Sequence, residues 1–453
     1  MAQTPSPALR LTQVIPERGL SSLRANFTWT FFGNAVYSAC QWGSLVVLAK
    51  IGSPELVGQF SLGLAIAMPA IMFASLQLRP VIASDVREEY RFGEYLGFRI
   101  TTTVLAVLVI LAIALTMRSG AMMTWLIFLM GLSQATEAIS DVYYARLQFI
   151  DRMDRIAKSQ IIRGPLALLA MGFAVYLTGQ VVWGAAALVL ARAVVLFGYD
   201  LRTQTQSSQP FPANAEQART ELDHLRETLR PRWDLHRFGK ILWLSLPLGI
   251  VALLVNLNVN IPRYFIQWSF GTRELGLFSA IAFMMSAGNL FIGALAQAAF
   301  VRMAKSFADG NAADFVSVLL KLLGIGTLLG AGGIVLARVA GAELLTILYR
   351  PEYAALSHVL GLFMVVAWIS YLGQFLGYAM TAARYFVHQI PLFVVVALAI
   401  TAGSYWLVPR MGLKGAVLAT LVGVSVQLIG SIGILFVGFM KNSRMRAEAA
   451  KLA

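Results

Sequence analysis

A hydrophilic corner between two long apolar runs occurs twice in this chain. The segment GSPELVGQFS covers residues 52–61, and GTRELGLFS covers residues 271–279 with one residue fewer. A helix–corner–helix unit that recurs in this way indicates a chain built from two equivalent halves. In a membrane protein, such internal repeats are typical of transporters. The repeat therefore predicts two related halves, each of which begins with two helices joined at the corner.

The composition places the chain in a membrane. Hydrophobic residues make up 58% of the 453 residues, and charged residues only 13%. A soluble domain cannot bury that much apolar surface, so the bilayer is the expected solvent. The single cysteine, Cys40, excludes an intrachain disulfide and a cysteine-based metal site. We expect no metal and no cofactor, and the sequence contains no G-x-x-x-x-G-K-[ST] loop for ATP hydrolysis.

Apolar runs predict about twelve transmembrane helices, because a helix needs about 20 residues to cross about 30 Å of hydrocarbon. The predicted spans are 27–50, 56–78, 96–117, 121–145, 160–178, 181–200, 241–268, 275–302, 313–337, 354–380, 386–408 and 413–440. The predicted fold is an all-α polytopic membrane protein with two pseudo-symmetric lobes of six helices. An even number of helices per lobe gives both lobes the same topology.

The chain divides into five predicted segments: an N-terminal tail 1–26, an N-lobe 27–200, a linker 201–240, a C-lobe 241–440 and a basic tail 441–453. The linker is polar and proline-bearing at first, which predicts flexibility, and then reads as a short amphipathic surface helix. Most of the 36 Lys and Arg residues fall on the side of the N-terminus, which predicts that both termini are cytoplasmic. This bias and anionic lipids explain the net charge of +14, so no nucleic-acid partner is expected.

Polar side chains share one face of the fourth predicted span. They recur at spacings of three and four residues: Gln134, Glu137, Asp141 and Tyr144. Two neighbouring carboxylates can exchange protons, so Glu137 and Asp141 are candidates for proton or cation coupling. The alternative, which we favour slightly, is structural pairing with one of three arginines near the cytoplasmic end: Arg79, Arg146 or Arg163.

The seventh span carries a comparable polar face, interrupted by Pro262. Its members are Asn256, Asn260, Arg263 and Gln267. The corresponding face of the first span carries Asn34, Ser38 and Gln41. These helices either line one aqueous lumen or hydrogen-bond to neighbouring helices, and the sequence favours neither alternative. The tenth span adds Tyr371, Gln374 and Tyr378, which suit sugar rings, although a helix interface is the more frequent role of such residues.

Basic residues predominate among the charges in or near the apolar runs. Besides Arg263, the candidates are Lys50, Arg192, Arg302 and Lys321. Lys50 and Arg302 lie near span ends and can extend to the interface, whereas Arg192 and Lys321 lie deeper. A lumen lined mainly by cations suits an anionic cargo, and phosphate or diphosphate matches the arginine fork.

Two segments resemble the polysaccharide-exporting branch of the multidrug/oligosaccharidyl-lipid/polysaccharide (MOP) exporter superfamily, which contains the O-antigen lipid flippases. The more specific is LAKIGSPELVGQFSLGLAIAMPAIMFASLQLRPVIASD, residues 48–85, and the second is DRMDRIAKSQIIRG, residues 151–164. The resemblance implies a MATE- or MurJ-like fold in the bacterial inner membrane. It also implies alternating-access export of an undecaprenyl-diphosphate-linked oligosaccharide through a cationic cavity.

By the same resemblance, the residues expected to contact the anion are Lys50, Arg263, Arg302 and Lys321, with Arg192 as a further candidate. Lys50, which precedes the corner, fits the family pattern best. The expected partners are the lipid-linked glycan, membrane lipids and other glycan-assembly proteins. The sequence leaves open whether the glycan is O-antigen, capsule or exopolysaccharide, and whether H⁺ or Na⁺ drives transport.

Two alternatives remain at this stage. A MATE-type multidrug extruder driven by H⁺ or Na⁺ has the same fold, but such proteins usually take cationic drugs with acidic cavities, and the charges here are mostly basic. A membrane-embedded glycan polymerase or ligase, or an assembly scaffold, fits the hydropathy. The short connections on the outer side disfavour the enzymes, which commonly carry a domain there.

Overall fold

A computed structural model describes residues 20–85, 89–117, 119–150, 152–205, 230–383 and 385–452. Within these ranges the regular structure is entirely helical. The predicted N-terminal tail up to residue 19 lies outside the described residues. So do residues 206–229 of the central connection, which include most of its predicted amphipathic helix.

Helices of the first lobe run antiparallel to one another, joined by short connections. They are α1 (Leu20–Ile51), α2 (Pro54–Ser75), α3 (Leu78–Ser84), α4 (Phe92–Thr116), α5 (Ala121–Phe149), α6 (Met153–Thr178) and α7 (Val181–Val195), followed by a π-helical turn (Leu196–Asp200) and α8 (Leu201–Thr205). Together α2 and α3 make one membrane span, and so do α7, the π-helical turn and α8.

The second lobe repeats this arrangement. Its helices are α9 (Leu235–Phe270), α10 (Thr272–Ala308), α11 (Ala312–Leu348), the short α12 (Pro351–Ala354), α13 (Ser357–Ala382), α14 (Phe386–Met411) and α15 (Leu413–Leu452). The predicted all-α fold with two six-helix lobes is confirmed.

Eleven helical segments in the described part of the chain are long and apolar enough to cross a membrane. The one predicted span that is not among the eleven is the first, 27–50, which corresponds to α1. The 32 residues of α1 exceed the length required to cross a membrane. Polar side chains such as Asn34, Ser38 and Gln41 reduce the hydropathy of α1. A helix that lines an aqueous space can tolerate these side chains.

The helices define two ends of the molecule. The corner end holds the 52–54 and 270–272 connections, where α1 meets α2 and α9 meets α10. The loop end holds the central connection between α8 and α9. Because successive helices alternate in direction, the C-terminal ends of α5 and α13 and the N-terminal ends of α9 and α14 all lie at the loop end.

The repeated corners pack against each other around a pseudo-two-fold axis. A Cβ atom added to Gly58 would overlap the Thr272 carbonyl, and one added to Gly276 would overlap the Pro54 carbonyl. The two glycines occupy equivalent repeat positions and make equivalent contacts, each against the backbone of the other lobe. Close backbone approach is thus the physical reason for both glycines.

The first turns of α9 pack on the N-lobe. Phe238 contacts Phe98 of α4 with ring centroids 5.4 Å apart, and Arg237 forms a 3.2 Å ion pair with Glu94. Phe238 and Ile241 belong to the same buried apolar cluster as residues of α3–α5. The beginning of the second repeat is therefore held by the first lobe at the loop end, next to the cavity described below.

Candidate functional site

A cavity of about 1240 Å³ lies between the two lobes. Near the corner end it is lined by Phe60 and Phe278, which are equivalent positions of the two repeats. Its lining continues to Arg79 and Pro80 after α2 and to Gln389 at the start of α14. The cavity therefore opens toward the loop end, and its apex lies beneath the paired corners.

Contacts between the lobes close the corner end. The Arg350 Nη2 atom donates to the Lys50 carbonyl at 2.9 Å, and Trp42 Nε1 donates to the Tyr349 hydroxyl at 3.2 Å. The Arg273 guanidinium lies 3.4 Å from the Glu55 carboxylate, which brings charges of the two corners together. We call this layer the seal. It separates the cavity from the corner end of the molecule.

On the N-lobe wall, both carboxylates that line the cavity are paired with arginines. Glu137 lies 2.9 Å from Arg192 Nη1 and accepts a 2.7 Å hydrogen bond from the Tyr37 hydroxyl. Asp141 lies 3.2 Å from Arg79 Nη1. The structural pairing that the sequence favoured is thus present at both carboxylates, through Arg79 for Asp141 and through Arg192, a partner that the sequence did not suggest, for Glu137.

Behind this wall, a further ion pair lies inside the N-lobe. Arg163 of α6 and Asp200 of the π-helical turn are both almost fully buried, with Nη2 and Oδ2 2.5 Å apart. Arg163 Nη2 also donates to the Ser140 hydroxyl at 2.6 Å, and the Ser159 hydroxyl donates to Asp200. These contacts link α5, α6 and the π-helical turn, and removal of either partner would leave an uncompensated charge inside the lobe.

The backbone breaks where α2 meets α3. Leu76 and Gln77 both have positive φ angles, 47° and 49°, which non-glycine residues rarely adopt. This strain costs of the order of 1 kcal/mol per residue and is typical of functional positions. The break redirects the chain so that Gln77 and Arg79 line the cavity at its loop end.

Arg263 dominates the electrostatics of the C-lobe wall. Its Nη1 atom donates to the Asn260 Oδ1 atom at 2.7 Å, and its guanidinium lies 5.9 Å from the centre of the Phe283 ring. Its Nε atom is buried without a hydrogen-bond partner. Among the described residues, no carboxylate lies within 4.0 Å of Arg263, unlike the cavity arginines Arg79 and Arg192. Arg263 therefore presents a positive charge without a counter-charge.

Around Arg263, the C-lobe wall is rich in side-chain amides. Eight asparagine and glutamine residues of the C-lobe line the cavity: Asn256, Asn258, Asn260, Asn289, Gln297, Gln374, Gln389 and Gln427. Tyr378, Ser370 and Thr381 add hydroxyl groups. Amides and hydroxyls both donate and accept hydrogen bonds, so this wall can bind a neutral, hydroxyl-rich molecule.

The structure brings nine of the predicted site residues together. The residues that line the cavity are Gln41, Glu137, Asp141, Arg192, Asn256, Asn260, Arg263, Gln374 and Tyr378. The polar faces of the first and seventh predicted spans therefore do meet at one lumen, through Gln41 on α1 and Asn256, Asn260 and Arg263 on α9.

Three predicted basic residues lie elsewhere. Lys50 has an exposed side chain at the corner end, beyond the seal. Arg302 is exposed near the end of α10 and forms a 2.6 Å ion pair with Asp314. Lys321 is also exposed, so the expectation that it is deeply buried was wrong. The reason is that Lys321 lies on the outward face of α11, with Val316 and Leu320, which only the packing of that helix determines.

Three polar residues predicted to line the lumen make other contacts. Asn34 is exposed on α1 and is absent from the cavity lining. Gln267 donates to the Thr272 hydroxyl at 3.3 Å, next to the corner. Tyr371 is buried, and its hydroxyl donates to the Met285 carbonyl at 3.5 Å. Tyr371 thus has the helix-interface role that was the more frequent alternative.

Sequence reasoning missed several lining residues. Asn258, Asn289, Gln297, Gln389 and Gln427 were not predicted, and Arg79 was considered only as a structural partner. Asn258 lies between Asn256 and Asn260 but on a different face of α9, and each of the other amides stands almost alone in an apolar helix, so no polar face identifies them. A search for every single amide near the middle of an apolar run would have found most of them.

The fold is that of MOP-superfamily transporters. An inward-facing multidrug-resistance MATE transporter of this superfamily matches with a TM-score of 0.68 and 14% identity, over 92% of this chain and 96% of that one. A MOP-superfamily transporter from Pyrococcus furiosus, described as having a binding pocket of reverse polarity, matches with a TM-score of 0.60 and 14% identity, over 99% and 100%. The MATE-like fold that the sequence resemblance implied is thereby confirmed.

Among proteins of assigned role, this chain is similar to the capsular polysaccharide biosynthesis protein CapF of Staphylococcus aureus. The two are 24% identical over 409 residues, which cover 89% of this chain and 97% of CapF. No family model matches the chain. The similarity extends over both lobes and agrees with the resemblance to the polysaccharide-exporting branch.

Proposed function

We propose that this chain is an exporter that moves an undecaprenyl-diphosphate-linked oligosaccharide across the bacterial inner membrane by alternating access. The repeat unit of an O-antigen, a capsule or an exopolysaccharide is the class of cargo. The similarity to CapF supports a role in polysaccharide biosynthesis, and the MOP fold supports a transporter rather than an enzyme. Other glycan-assembly proteins would deliver and receive the cargo.

The observation that carries the proposal is the uncompensated charge of Arg263. A half-buried cation without a counter-ion is unfavourable, so the position of Arg263 on the wall of a cavity argues for an anionic ligand. The guanidinium has a planar fork of donors that matches a phosphate group. We assign Arg263 as the anchor for the diphosphate of the loaded carrier.

The amide-rich wall supports the glycan part of the proposal. Sugar hydroxyls require paired donors and acceptors, which Asn and Gln side chains supply from one group. Gln374, Gln389, Gln427 and Tyr378 all line the cavity between Arg263 and the loop end. A glycan attached to a diphosphate at Arg263 would extend along this wall.

In this conformation the cavity is closed at the corner end by the seal and open at the loop end. With the termini and the central connection in the cytoplasm, as the Lys and Arg distribution predicts, the cavity faces the cytoplasmic leaflet. This is the side on which a lipid-linked precursor would load. Opening the seal and closing the loop end would then expose the cargo to the periplasmic side.

The multidrug-extruder alternative is less well supported by the charges. A cationic drug would need a free carboxylate, but Glu137 and Asp141 both pair with arginines. Ion coupling through these two carboxylates remains a proposal that requires one of the pairs to open. A membrane-embedded glycan polymerase or ligase is disfavoured by the short connections between the described helices at the corner end.

The test is leaflet transfer in liposomes that contain the purified protein and a fluorescent undecaprenyl-diphosphate oligosaccharide. We expect transfer by the wild type, loss in Arg263→Ala, and partial recovery in Arg263→Lys. Arg302→Gln is the matched control, because it removes an exposed arginine outside the cavity. Absence of transfer by the wild type, together with proton-driven efflux of a cationic dye, would overturn the proposal in favour of a drug extruder.

A further inference from the structure

Arg99 of α4 is a cation with an unusual environment. It is fully buried, and none of its three side-chain nitrogens has a hydrogen-bond partner. The nearest carboxylate among the described residues is Asp141, with Arg99 Nη2 and Asp141 Oδ2 4.0 Å apart. A buried guanidinium without hydrogen bonds is unfavourable. A small movement of Asp141 would give Arg99 a hydrogen bond from its guanidinium to the carboxylate.

Asp141 stands between two arginines. Its Oδ1 atom lies 3.2 Å from Arg79 Nη1, and its other oxygen faces Arg99. Shortening the contact to Arg99 to hydrogen-bond distance requires a movement of only about 1 Å, which a change of side-chain torsion supplies. One carboxylate therefore serves two cations, and whichever arginine it leaves carries an uncompensated charge.

Arg79 would stay in place without Asp141. Its Nε atom donates to Gln148 Oε1 at 3.0 Å, and its guanidinium lies 5.8 Å from the centre of the Tyr144 ring. The strained break at Leu76 and Gln77 fixes the direction from which its side chain enters the cavity. Arg79 is about one-third exposed there, whereas Arg99 is buried and does not line the cavity.

We propose that Arg79, Asp141 and Arg99 form an anion-capture site at the loop-end mouth of the cavity, in which a phosphate group takes the place of Asp141 on Arg79 while Asp141 moves to Arg99. The ligand chemistry is a phosphate or diphosphate group, carried by a lipid or free in solution. Arg79 contacts the anion, and Arg99 is a positioning residue that acts through Asp141. This inference rests on the proposed function, because it adds a binding site that the anion occupies before it reaches Arg263.

The exchange gives a role to Arg99, a buried arginine without a hydrogen-bond partner that lies behind the hydrogen-bonded Arg79. Before binding, Asp141 neutralises the exposed Arg79 and keeps water-borne anions from holding it tightly. On binding, the phosphate neutralises Arg79 and Asp141 neutralises Arg99, so that all charges are paired. The buried cation thus favours the loaded arrangement by the free energy that it gains from Asp141.

The test measures binding of farnesyl diphosphate to the full chain in nanodiscs, in an Arg263→Ala background that removes the deeper anchor. Asp141→Asn should tighten binding about two- to fivefold, the range expected for a partly exposed charge pair. Arg99→Met should weaken binding by a similar factor, because Asp141 then stays on Arg79. Arg79→Gln should weaken binding and abolish the gain from Asp141→Asn.

A double-mutant comparison separates exchange from a merely structural role. In the Asp141→Asn background, Arg99→Met should have no further effect on affinity, because there is no carboxylate left to move. Equal weakening by Arg99→Met with and without Asp141 would overturn the proposal. If Arg99→Met does not fold, a failure of Asp141→Asn to tighten binding through Arg79 would overturn it equally.

Ligand controls identify the source of the anion. Inorganic pyrophosphate and farnesol replace farnesyl diphosphate in separate measurements. A response to Asp141→Asn with both diphosphates defines a headgroup site, and a response with the lipid alone defines a site that also needs the tail. If wild type and Arg263→Ala bind farnesyl diphosphate equally, Arg263 does not anchor the diphosphate and the proposed function is contradicted. If Asp141→Asn and Arg99→Met leave the affinity unchanged, only the proposed exchange is overturned.

Discussion

The two walls of the cavity use arginine in opposite ways. On the N-lobe wall, Arg79 and Arg192 each pair with a carboxylate of α5. On the C-lobe wall, Arg263 contacts an amide and an aromatic ring, with no carboxylate within 4.0 Å among the described residues. Two repeats with the same topology thus carry different chemistry. The ion pairs of the N-lobe wall maintain structure, and their carboxylates can exchange partners. The C-lobe wall has a free positive charge that can bind an anion.

The largest effect is expected from breaking the buried pair behind the N-lobe wall. Asp200→Asn leaves Arg163 without its carboxylate, and removal of one partner of a buried pair costs about 3–5 kcal/mol. We expect a much lower thermal unfolding temperature in detergent and a poor yield. The matched change in the other lobe, Asn260→Ala, should affect stability far less. Equal loss in both variants would contradict the structural role of the N-lobe charges.

The next largest effect is expected on transport. Arg263→Ala should lower the rate of leaflet transfer about tenfold or more, because a charge-assisted hydrogen bond to phosphate is lost. Its thermal unfolding temperature should stay close to that of the wild type, since no ion pair is broken. A variant that unfolds as readily as Asp200→Asn would show that Arg263 is structural and that the two walls do not differ.

The paired glycines test the symmetry of the two repeats rather than their difference. Gly58→Val and Gly276→Val should each force the corners apart, since either side chain overlaps a carbonyl of the other lobe; overpacking of this kind costs about 1–3 kcal/mol. We expect both to weaken the seal to a similar extent, measured as increased labelling of a cysteine placed beside Phe60. Gly239→Val, at a glycine with open space around it, is the control. A response from only one corner would contradict the equivalence.

A smaller effect is expected from the amide wall. Gln374→Ala and Gln427→Ala should each lower transfer about two- to tenfold, because each removes a hydrogen bond worth about 0.5–1.5 kcal/mol. The loss should depend on the glycan and disappear with an undecaprenyl diphosphate that carries no sugar. If the loss persists with the sugar-free lipid, these residues do not bind the glycan.

The smallest effect is expected at basic residues outside the cavity. Arg302→Gln and Lys321→Gln change exposed side chains, and exposed ion pairs contribute about 0–1 kcal/mol. Transfer rates should stay within about twofold of the wild type, the range set by such weak interactions. A strong loss in Lys321→Gln would indicate that the outward face of α11 takes part in transport.

The repeated corner segment and the apolar runs of the sequence were sufficient to predict the helices and the two lobes. The doubled corner predicted where the lobes are equivalent, and the apolar runs predicted the helices. The shared face of Asn256, Asn260 and Arg263 left a lumen and a helix interface as equal alternatives, and in the structure these three residues line the cavity. These features depend on residues that are close together in the sequence, so they can be predicted without knowing how the helices pack.

Features that depend on packing were not accessible in the same way. The direction that Lys321 faces depends on which side of α11 meets the other helices, and helical spacing does not define that side. Glu137 and Arg192 are far apart in sequence, so their ion pair follows only from the packing of α5 on α7. Single amides such as Gln389 and Gln427 gain meaning only when several helices bring them to one wall.

The most direct test of the difference between the walls is a cryo-electron microscopy structure of the protein in nanodiscs, loaded with undecaprenyl-diphosphate oligosaccharide. The predicted result is diphosphate density within hydrogen-bond distance of the Arg263 guanidinium, sugar density along Gln374 and Gln427, and an intact pair between Arg192 and Glu137. A loaded cavity in which Arg263 contacts no phosphate, while Arg192 has left Glu137 to bind it, would contradict the account.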